Sequence, residues 1–374
     1  MDNIAGTKSA LSWVVNLSVI FLVVLWLIPT VGLLVSSFRD RDQISASGWW
    51  LSPFPVEQNF QAKAAADDAT SQNGTNVIEG NLFSEGSGEV IRFGGSRNNP
   101  TANAAGETAE LSKDRTLTVQ QNGDFVYTSP AEIKRDPSIY YSTKTPPKFS
   151  MDNYRTIMSS SNMDLAFINT LTVTIPATII PILIAAFAAY ALAWMDFAGR
   201  GVLIAVVVGL LVVPLQLALV PLLQFHNKIG IGQSFLGIWM AHTGFGLPLA
   251  IYLLRNYMVG LPRDIIESAK VDGATDFQVF TRIVLPLSFP ALASFAIFQF
   301  LWTWNDLLVA KVFLPSNSES WVMTVKIADD LLGSRGGDWG ILAAAAFISI
   351  AVPLIVFFTM QRYLVRGLLA GSVK

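Results

Sequence analysis

The chain has 374 residues, 52% of them hydrophobic and only 14% charged, and its net charge is −2. Soluble domains carry about 25% charged residues, so this composition describes a membrane protein with one polar region, and no basic patch points to nucleic acid. The absence of Cys excludes disulfides, thiolate metal sites and thiol catalysis, and two His, His226 and His242, leave little for a His-based metal site or triad.

In chain order, Trp13–Val35 is the first apolar run; its 23 residues exceed the roughly 20 that a bilayer core requires. It lacks the short core, basic start and small-residue cleavage site of a signal peptide, so it predicts a transmembrane helix. Residues 39–150 are rich in Asn, Gly, Ser, Asp and Thr, with no run long enough to span. Glu89–Gly95 has the pattern of a strand ending in a turn. Leu117–Tyr127 has that of a hairpin around Asn122-Gly123, and Asn98–Gly106 that of a flexible loop between them. The insert is therefore expected to be small and mainly β, with Trp49, Trp50 and Phe54 suited to an interfacial aromatic belt.

Five further spans are predicted over about Phe167–Ala193, Val202–Leu223, Phe235–Tyr257, Leu287–Val309 and Gly340–Met360. Six spans put both termini on one side. Segments on that side carry nine basic residues (Lys8, Arg200, Arg255, Arg263, Lys270, Arg282, Arg362, Arg366, Lys374), against Lys228, Lys311, Lys326 and Arg335 in the short loops opposite. The positive-inside rule then makes the termini cytoplasmic and the insert external.

The segment Glu267–Pro286 is the most polar of the C-terminal half, yet it lies between apolar runs. Pro262 suits the first turn of a helix, and Ile265, Ile266 and Ala269 fall on one helical face. Asp272-Gly273 breaks that helix, because Gly accepts backbone angles other residues resist. Thr275 and Gln278 have capping-box spacing, so a second short helix should follow, with Phe277, Phe280, Ile283 and Val284 as its apolar side. Pro286 closes the segment and can start the next membrane helix. The expected object is a half-apolar knob outside the membrane.

This segment resembles the EAA loop of permease subunits in bacterial ABC importers, whose pattern is Glu-Ala-Ala, three residues, Gly, nine residues, Ile, one residue, Leu-Pro. Glu267, Ala269, Gly273, Ile283, Leu285 and Pro286 are in register, and Ser268 for the first Ala is the one departure. Asp272-Gly273-Ala274 is similar to the sugar-importer branch. Phe149–Tyr154 looks like the stretch that precedes the second helix in that family, and a large first outer loop resembles α-glucoside-type permeases.

The resemblance implies an all-α polytopic inner-membrane protein of six helices with a cytoplasmic coupling loop over 261–286 and a periplasmic β insert. Its domains would be 1–38, 39–150 and 151–374. The implied partners are a second permease subunit, an ABC ATPase dimer and a periplasmic sugar-binding protein. Glu267, Ala269, Asp272, Gly273, Ala274, Phe280, Ile283, Leu285 and Pro286 would contact or shape the ATPase-coupling surface. The loop Pro315–Trp339, with Gly333, Gly336 and Gly337, resembles the loop that reaches into the binding protein, and the tail from Gln361 the terminus that approaches the ATPase. No phosphate-binding G-x-x-x-x-G-K-[ST] occurs in the chain, so ATP and Mg are expected on a partner, with no cofactor or metal here.

Glu267 could be a catalytic acid, a buried structural carboxylate or an interface contact; no partner acid or His stands at catalytic spacing, which favours the contact. Polar residues inside spans need partners, since an unsatisfied group in hydrocarbon costs several kcal/mol. Asn169, Gln216, Gln224, His242, Gln299, Asn305 and Asp306 are such residues, and each can simply bond a neighbouring helix. His226 is expected to be interfacial. Gln299, Trp302 and Asn305 are i, i+3 and i+6, so they share a helical face; amides suit sugar hydroxyls and an indole suits a pyranose face. These three are the candidate substrate path. Two other classes remain open at this stage. A secondary transporter needs embedded ionisable groups, of which Asp306 is the candidate carboxylate; a membrane-anchored sensor would leave the knob unexplained.

Overall fold

The computed structural model describes residues 10–72, 74–83, 88–160, 162–331 and 338–370. The chain divides into two compact units, Met1–Asn153 and Tyr154–Lys374. In the first, α1 (Ala10–Ser37) is a continuous helix whose apolar side chains from Leu11 to Ile28 are all exposed. Such a helix is stable only where the surroundings are themselves apolar.

Beyond α1 the backbone is stitched at once. Asp40 caps α2 (Arg41–Ala46) by accepting from the Asp42 N–H. Arg39 is buried and donates to Gln43 O at 2.8 Å and to Ser47 Oγ at 2.7 Å. Gln43 donates to Pro146 O and accepts from the Lys148 N–H, and Asn153 Nδ2 donates to Ser37 O and Arg39 O. The entry and exit of the insert are thus tied to each other.

Between them run β1 (Val56–Lys63), β2 (Thr70–Gln72), β3 (Thr75–Asn81), β4 (Val90–Gly94), β5 (Asn103–Ala104), β6 (Thr108–Leu111), β7 (Arg115–Val119), β8 (Asp124–Ser129) and β9 (Ser138–Thr145). They form antiparallel sheets of order β1-β9-β4-β5 and β2-β3-β8-β7-β6. Alternating residues face a common core that includes Ile78, Phe93, Leu117, Val119 and Ile139. The β7–β8 hairpin lies where Asn122-Gly123 predicts it, as a three-residue loop: Gln120 N–H reaches Asp124 O and Gly123 takes φ 88°. The predicted flexible loop Asn98–Gly106 is corrected, since β5 lies inside it and pairs with β4.

The second unit is helical: α3 (Asp152–Ser160), α4 (Met163–Trp194), α5 (Arg200–Leu210), α6 (Leu215–Lys228), α7 (Phe235–Val259), α8 (Arg263–Val271), α9 (Asp276–Val279), α10 (Leu285–Leu287), α11 (Phe289–Trp304), α12 (Leu308–Phe313), α13 (Met323–Lys326) and α14 (Trp339–Ala370). Small residues on α4 (Ala177, Ala185, Ala186, Ala189) and α7 (Ala241, Gly246, Ala250) are buried, which lets helix backbones approach closely. Among the described residues four helices are long and apolar enough to cross a membrane, beginning at Leu11, Met163, Phe235 and Trp339.

Two predicted spans are not straight helices. Val202–Leu223 is broken between α5 and α6 by a 109° bend, where Pro214 lacks an N–H and pushes Val213 out of helical geometry. Leu287–Val309 is replaced by α11, which follows the α9–α10 segment after a 69° bend. The chain breaks at Ser288, just before Pro290, and again at Asn305 before α12. The last span is longer than expected: α14 continues past Met360.

Candidate functional site

The knob is built as two arms around one glycine. Pro262 is the N-cap of α8 rather than its first residue, with φ −60° and ψ 121°. At the other end Gly273 takes φ 84° while its N–H reaches Lys270 O and the Ala274 N–H reaches Ala269 O. This pair of bonds is a Schellman motif, which requires a left-handed residue after the helix. Thr275 then opens α9 with both halves of a capping box: its Oγ1 accepts from the Gln278 N–H, and Gln278 Oε1 accepts from the Thr275 N–H. Lys270 Nζ and Asp276 Oδ1 close the angle between the arms at 3.0 Å.

The inner side of the knob is wedged into the helices. Ile266, Val279, Phe280 and Val284 are buried against Ala185, Ala186, Ala189 and Tyr190 of α4, Ala250, Leu254 and Met258 of α7, and Phe295 of α11. Phe280 rings with Phe187 and Tyr190 at 4.8 and 5.2 Å, and Tyr190 OH donates to Asp276 Oδ1 at 3.3 Å. The predicted apolar face needs correction at Phe277, which is 65% exposed, whereas Val279 is fully buried. From Phe280 to Val284 the helix is π-wound, so α-helical spacing no longer predicts its faces. Ile283 and Leu285 are half-buried and Pro286 is exposed within α10.

The outer side carries what sequence reasoning missed. Val271 is 86% exposed, and with Phe277 and half-exposed Ile265 it leaves apolar side chains uncovered on the knob. Glu267, Asp272 and Gly273 are exposed beside them, and Ala269 and Ala274 are partly buried. Val271 falls off the predicted face of Ile265, Ile266 and Ala269, and Ile265, expected on that face, is 46% exposed while Ile266 is buried.

On the fifth-span helix α11, the three aligned residues have different surroundings. Gln299 is buried and its Nε2 donates to Ala177 O of α4 at 3.1 Å. Its amide also lies against Gly246 of α7, where an added Cβ would come within 2.8 Å of it. Trp302 is 37% exposed and, with Gln299, borders a groove of about 520 Å³ whose other walls include Leu211, Leu215, Phe245 and Leu249. Asn305 lies past the end of α11, is exposed, and returns its Nδ2 to Leu301 O. The groove thus joins Gln299 and Trp302 but not Asn305.

The remaining polar positions sort by partner. Asn169 bonds Glu319 O and Trp321 O, and Thr170 Oγ1 accepts from the Met323 N–H, so α4 ties down the segment after α12. Val322, Met323 and Val325 are consequently buried, which makes part of the predicted outer loop a packed segment; Gly333, Gly336 and Gly337 lie outside the described residues. Gln216 and Gln224 are exposed. His226 is buried against Phe313, 5.2 Å between rings. His242 is fully buried 3.8 Å from Asp306 and edge-on to Trp302 at 5.6 Å, while Asp306 Oδ2 accepts from the Ala310 N–H. In the tail, Ser294 Oγ donates to Tyr363 O, and side chains after Tyr363 lie outside the described residues.

A family model described as binding-protein-dependent transport system inner membrane component matches residues 162–369. The chain is 59% identical over 375 residues to the alpha-glucoside transport system permease protein AglG of Rhizobium meliloti (strain 1021), covering 98% of either chain. It is 57% identical over 227 residues to the osmoprotective compounds uptake permease protein GgtD of Synechocystis sp. (strain ATCC 27184 / PCC 6803 / Kazusa), which is 61% of this chain and 76% of that one. With the trehalose transport system permease protein SugB of Mycobacterium tuberculosis (strain CDC 1551 / Oshkosh) it shares 35% identity over 231 residues, 61% of this chain and 84% of that one.

Proposed function

The chain belongs to the family of binding-protein-dependent transport system inner membrane components, and on that premise we propose that it carries α-glucoside sugars across the inner membrane as one of two permease subunits. The substrate class rests on AglG, whose similarity runs through the insert as well as the helical unit. In this reading each bent helix pair is one span, giving six. Both termini and the knob face the cytoplasm, the insert 39–150 faces the periplasm, and 151–374 is the permease core.

The observation that carries the mechanism is the two-sided knob. Val271 and Phe277 are uncovered on one side, while Val279, Phe280 and Val284 are locked among α4, α7 and α11 on the other. Uncovered apolar clusters rimmed by polar residues mark contact surfaces. We assign that side to an ATPase subunit, with Glu267 and Asp272 as its polar rim and Gly273-Ala274 setting the angle. ATP and Mg then belong to the ATPase dimer, and this subunit does no covalent chemistry. Closure of the dimer pushes the knob, and the helices packed on it move to alternate access. The groove at Gln299 and Trp302 is the part of the sugar path supplied by this chain, completed by the second permease; Asn305 stands at its edge.

The test is uptake of labelled maltose into vesicles bearing this chain, a second permease and the ATPase, with binding protein supplied. Uptake that needs ATP and survives an uncoupler is expected. Uptake without the ATPase, abolished by the uncoupler, would instead assign the buried His242–Asp306 pair to ion coupling and overturn the proposal.

A further inference from the structure

Within the first unit, the turn that follows α2 lies against the end of α1 that leads into the insert. Every side chain of α1 from Leu11 to Val31 is exposed or half-exposed, and Gly32 is the first covered residue. At 1.5 Å per residue the uncovered stretch is about 31 Å long, which matches the roughly 30 Å hydrocarbon core of a bilayer. Gly32 therefore marks the level at which lipid tails give way to headgroups. What covers it is Trp49: an added Cβ on Gly32 would come within 2.6 Å of the Trp49 indole nitrogen. We propose that Trp50, Leu51 and Phe54, in the turn held there by Trp49, insert into the headgroup–acyl boundary and anchor the β insert to the membrane surface. The anchor requires α1 to span the bilayer and does not depend on the sugar carried.

Four observations point to lipid as the occupant. Trp50, Leu51 and Phe54 are 65%, 44% and 61% exposed, so three large apolar side chains stand uncovered in one short turn. Second, that turn has spent its backbone donors. Leu51 N–H reaches Gly48 O, Ser52 N–H reaches Trp49 O and Phe54 N–H reaches Leu51 O, while Pro53 and Pro55 have no N–H. Residues 51–55 thus present no free donor, which suits a medium that cannot replace the hydrogen bonds of water. Third, no charged residue occurs from Gln43 to Val56, so zwitterionic lipid suffices and no ionic partner is called for. Fourth, the turn continues the lipid-facing wall of α1 at its boundary, the level where amphipathic indoles are enriched. Of the aromatic residues expected at an interface, Trp49 is turned onto α1 and meets Trp50 edge-on at 6.1 Å, which leaves Trp50 and Phe54 to face outward. Together with the covalent exit from α1, the anchor gives the insert a second attachment and so fixes its tilt to the membrane.

The test is depth-dependent fluorescence quenching on the full-length chain in phosphatidylcholine nanodiscs. In this Cys-free chain a fluorophore is attached at Leu51→Cys or, as a depth standard, at Phe21→Cys in the middle of the uncovered stretch; both positions are exposed, so the packing is left as it is. Lipids carrying a nitroxide near the headgroup or near the acyl end report shallow and deep contact, and iodide reports contact with water. The Leu51 label should lose more emission to the shallow nitroxide than to the deep one, because interfacial segments lie about 5–10 Å into the boundary; the Phe21 label should show the reverse. Trp50→Ser with Phe54→Ser should remove the shallow quenching of the Leu51 label at an unchanged melting profile. Quenching of that label by iodide alone overturns the proposal, as does quenching undiminished in the double serine variant. Protection from all three quenchers overturns it too, by showing that protein covers the turn. A Phe21 label open to iodide would show that α1 does not span, and the anchor would fall with it.

Discussion

Replacing Gly273 tests whether the angle of the knob matters to transport. At φ 84° an L-residue places its Cβ too close to the following carbonyl, at a cost of about 1–2 kcal/mol. No atom lies within 4 Å of the position such a Cβ would take, so the whole penalty is backbone strain, without a clash. Asn tolerates left-handed geometry best, Ala less, and a β-branched residue least. The expected order of ATP-driven uptake is therefore Gly273, then G273N, then G273A, then G273V. One to two kcal/mol shifts a local two-state balance by a factor of about 5–30, enough to release the Schellman bonds from Gly273 to Lys270 and from Ala274 to Ala269. The Lys270–Asp276 pair is half-exposed and worth about 0–1 kcal/mol, too little to hold the arms alone. Uptake and ATPase stimulation would be measured beside the yield of assembled complex. Equal uptake for G273V and the parent chain, at equal yield, would refute the claim that this turn sets coupling.

Three further outcomes are expected. Gln299→Leu should lower the melting midpoint of the complex by an amount equivalent to about 1 kcal/mol, since it removes the bond to Ala177; Trp302→Ala should reduce maltose uptake at an unchanged yield of assembled complex. Deletion of residues 59–143 with a two-residue linker should leave membrane insertion and ATPase assembly intact, because Gln58 and Thr143 are ladder partners about 5 Å apart and the buried insert core lies within 64–141; failure to insert would show that the insert is needed for the core to fold. In this Cys-free chain, Val271→Cys and Phe277→Cys should react with a water-soluble thiol reagent in the isolated permease and become protected when the ATPase binds, while Val279→Cys stays unreactive in both.

What could be read in advance depended on whether the signal was local. The Schellman glycine, the Thr275 capping box and the β7–β8 hairpin are set by a few neighbouring residues, and each forms where its spacing places it. The bends had local causes too: Pro214 and Pro290 were visible, but length and hydropathy alone joined the pieces into straight spans. The faces of the knob were not legible, because the π turn shifts the phase and α4 and α7 decide which side is covered. Gln299 shows the same limit. Its spacing with Trp302 was right, yet only the packing reveals that its donor is spent on a backbone carbonyl of α4.

The arrangement separates stiff pieces from places that can yield. Val279, Phe280 and Val284 are buried among Ala185, Ala186, Ala189 and Tyr190 of α4, Leu254 and Met258 of α7 and Phe295 of α11, so packed side chains fill the space between knob and helices. Close-packed interiors transmit a displacement instead of absorbing it. A push on Val271 and Phe277 would therefore reach α4, α7 and α11 together. Continuity is interrupted by the 109° bend at Pro214, away from the knob, and by the 69° bend at Ser288, where the knob's second arm joins α11. Asp276 sits where the two regimes meet, bonded to Lys270 across the knob and to Tyr190 on α4. Both contacts are partly exposed and individually weak, so they support an angle that the Gly273 turn sets. Rocking by rigid bodies needs this combination: a packed lever, a defined angle, and backbone breaks where the motion can be taken up.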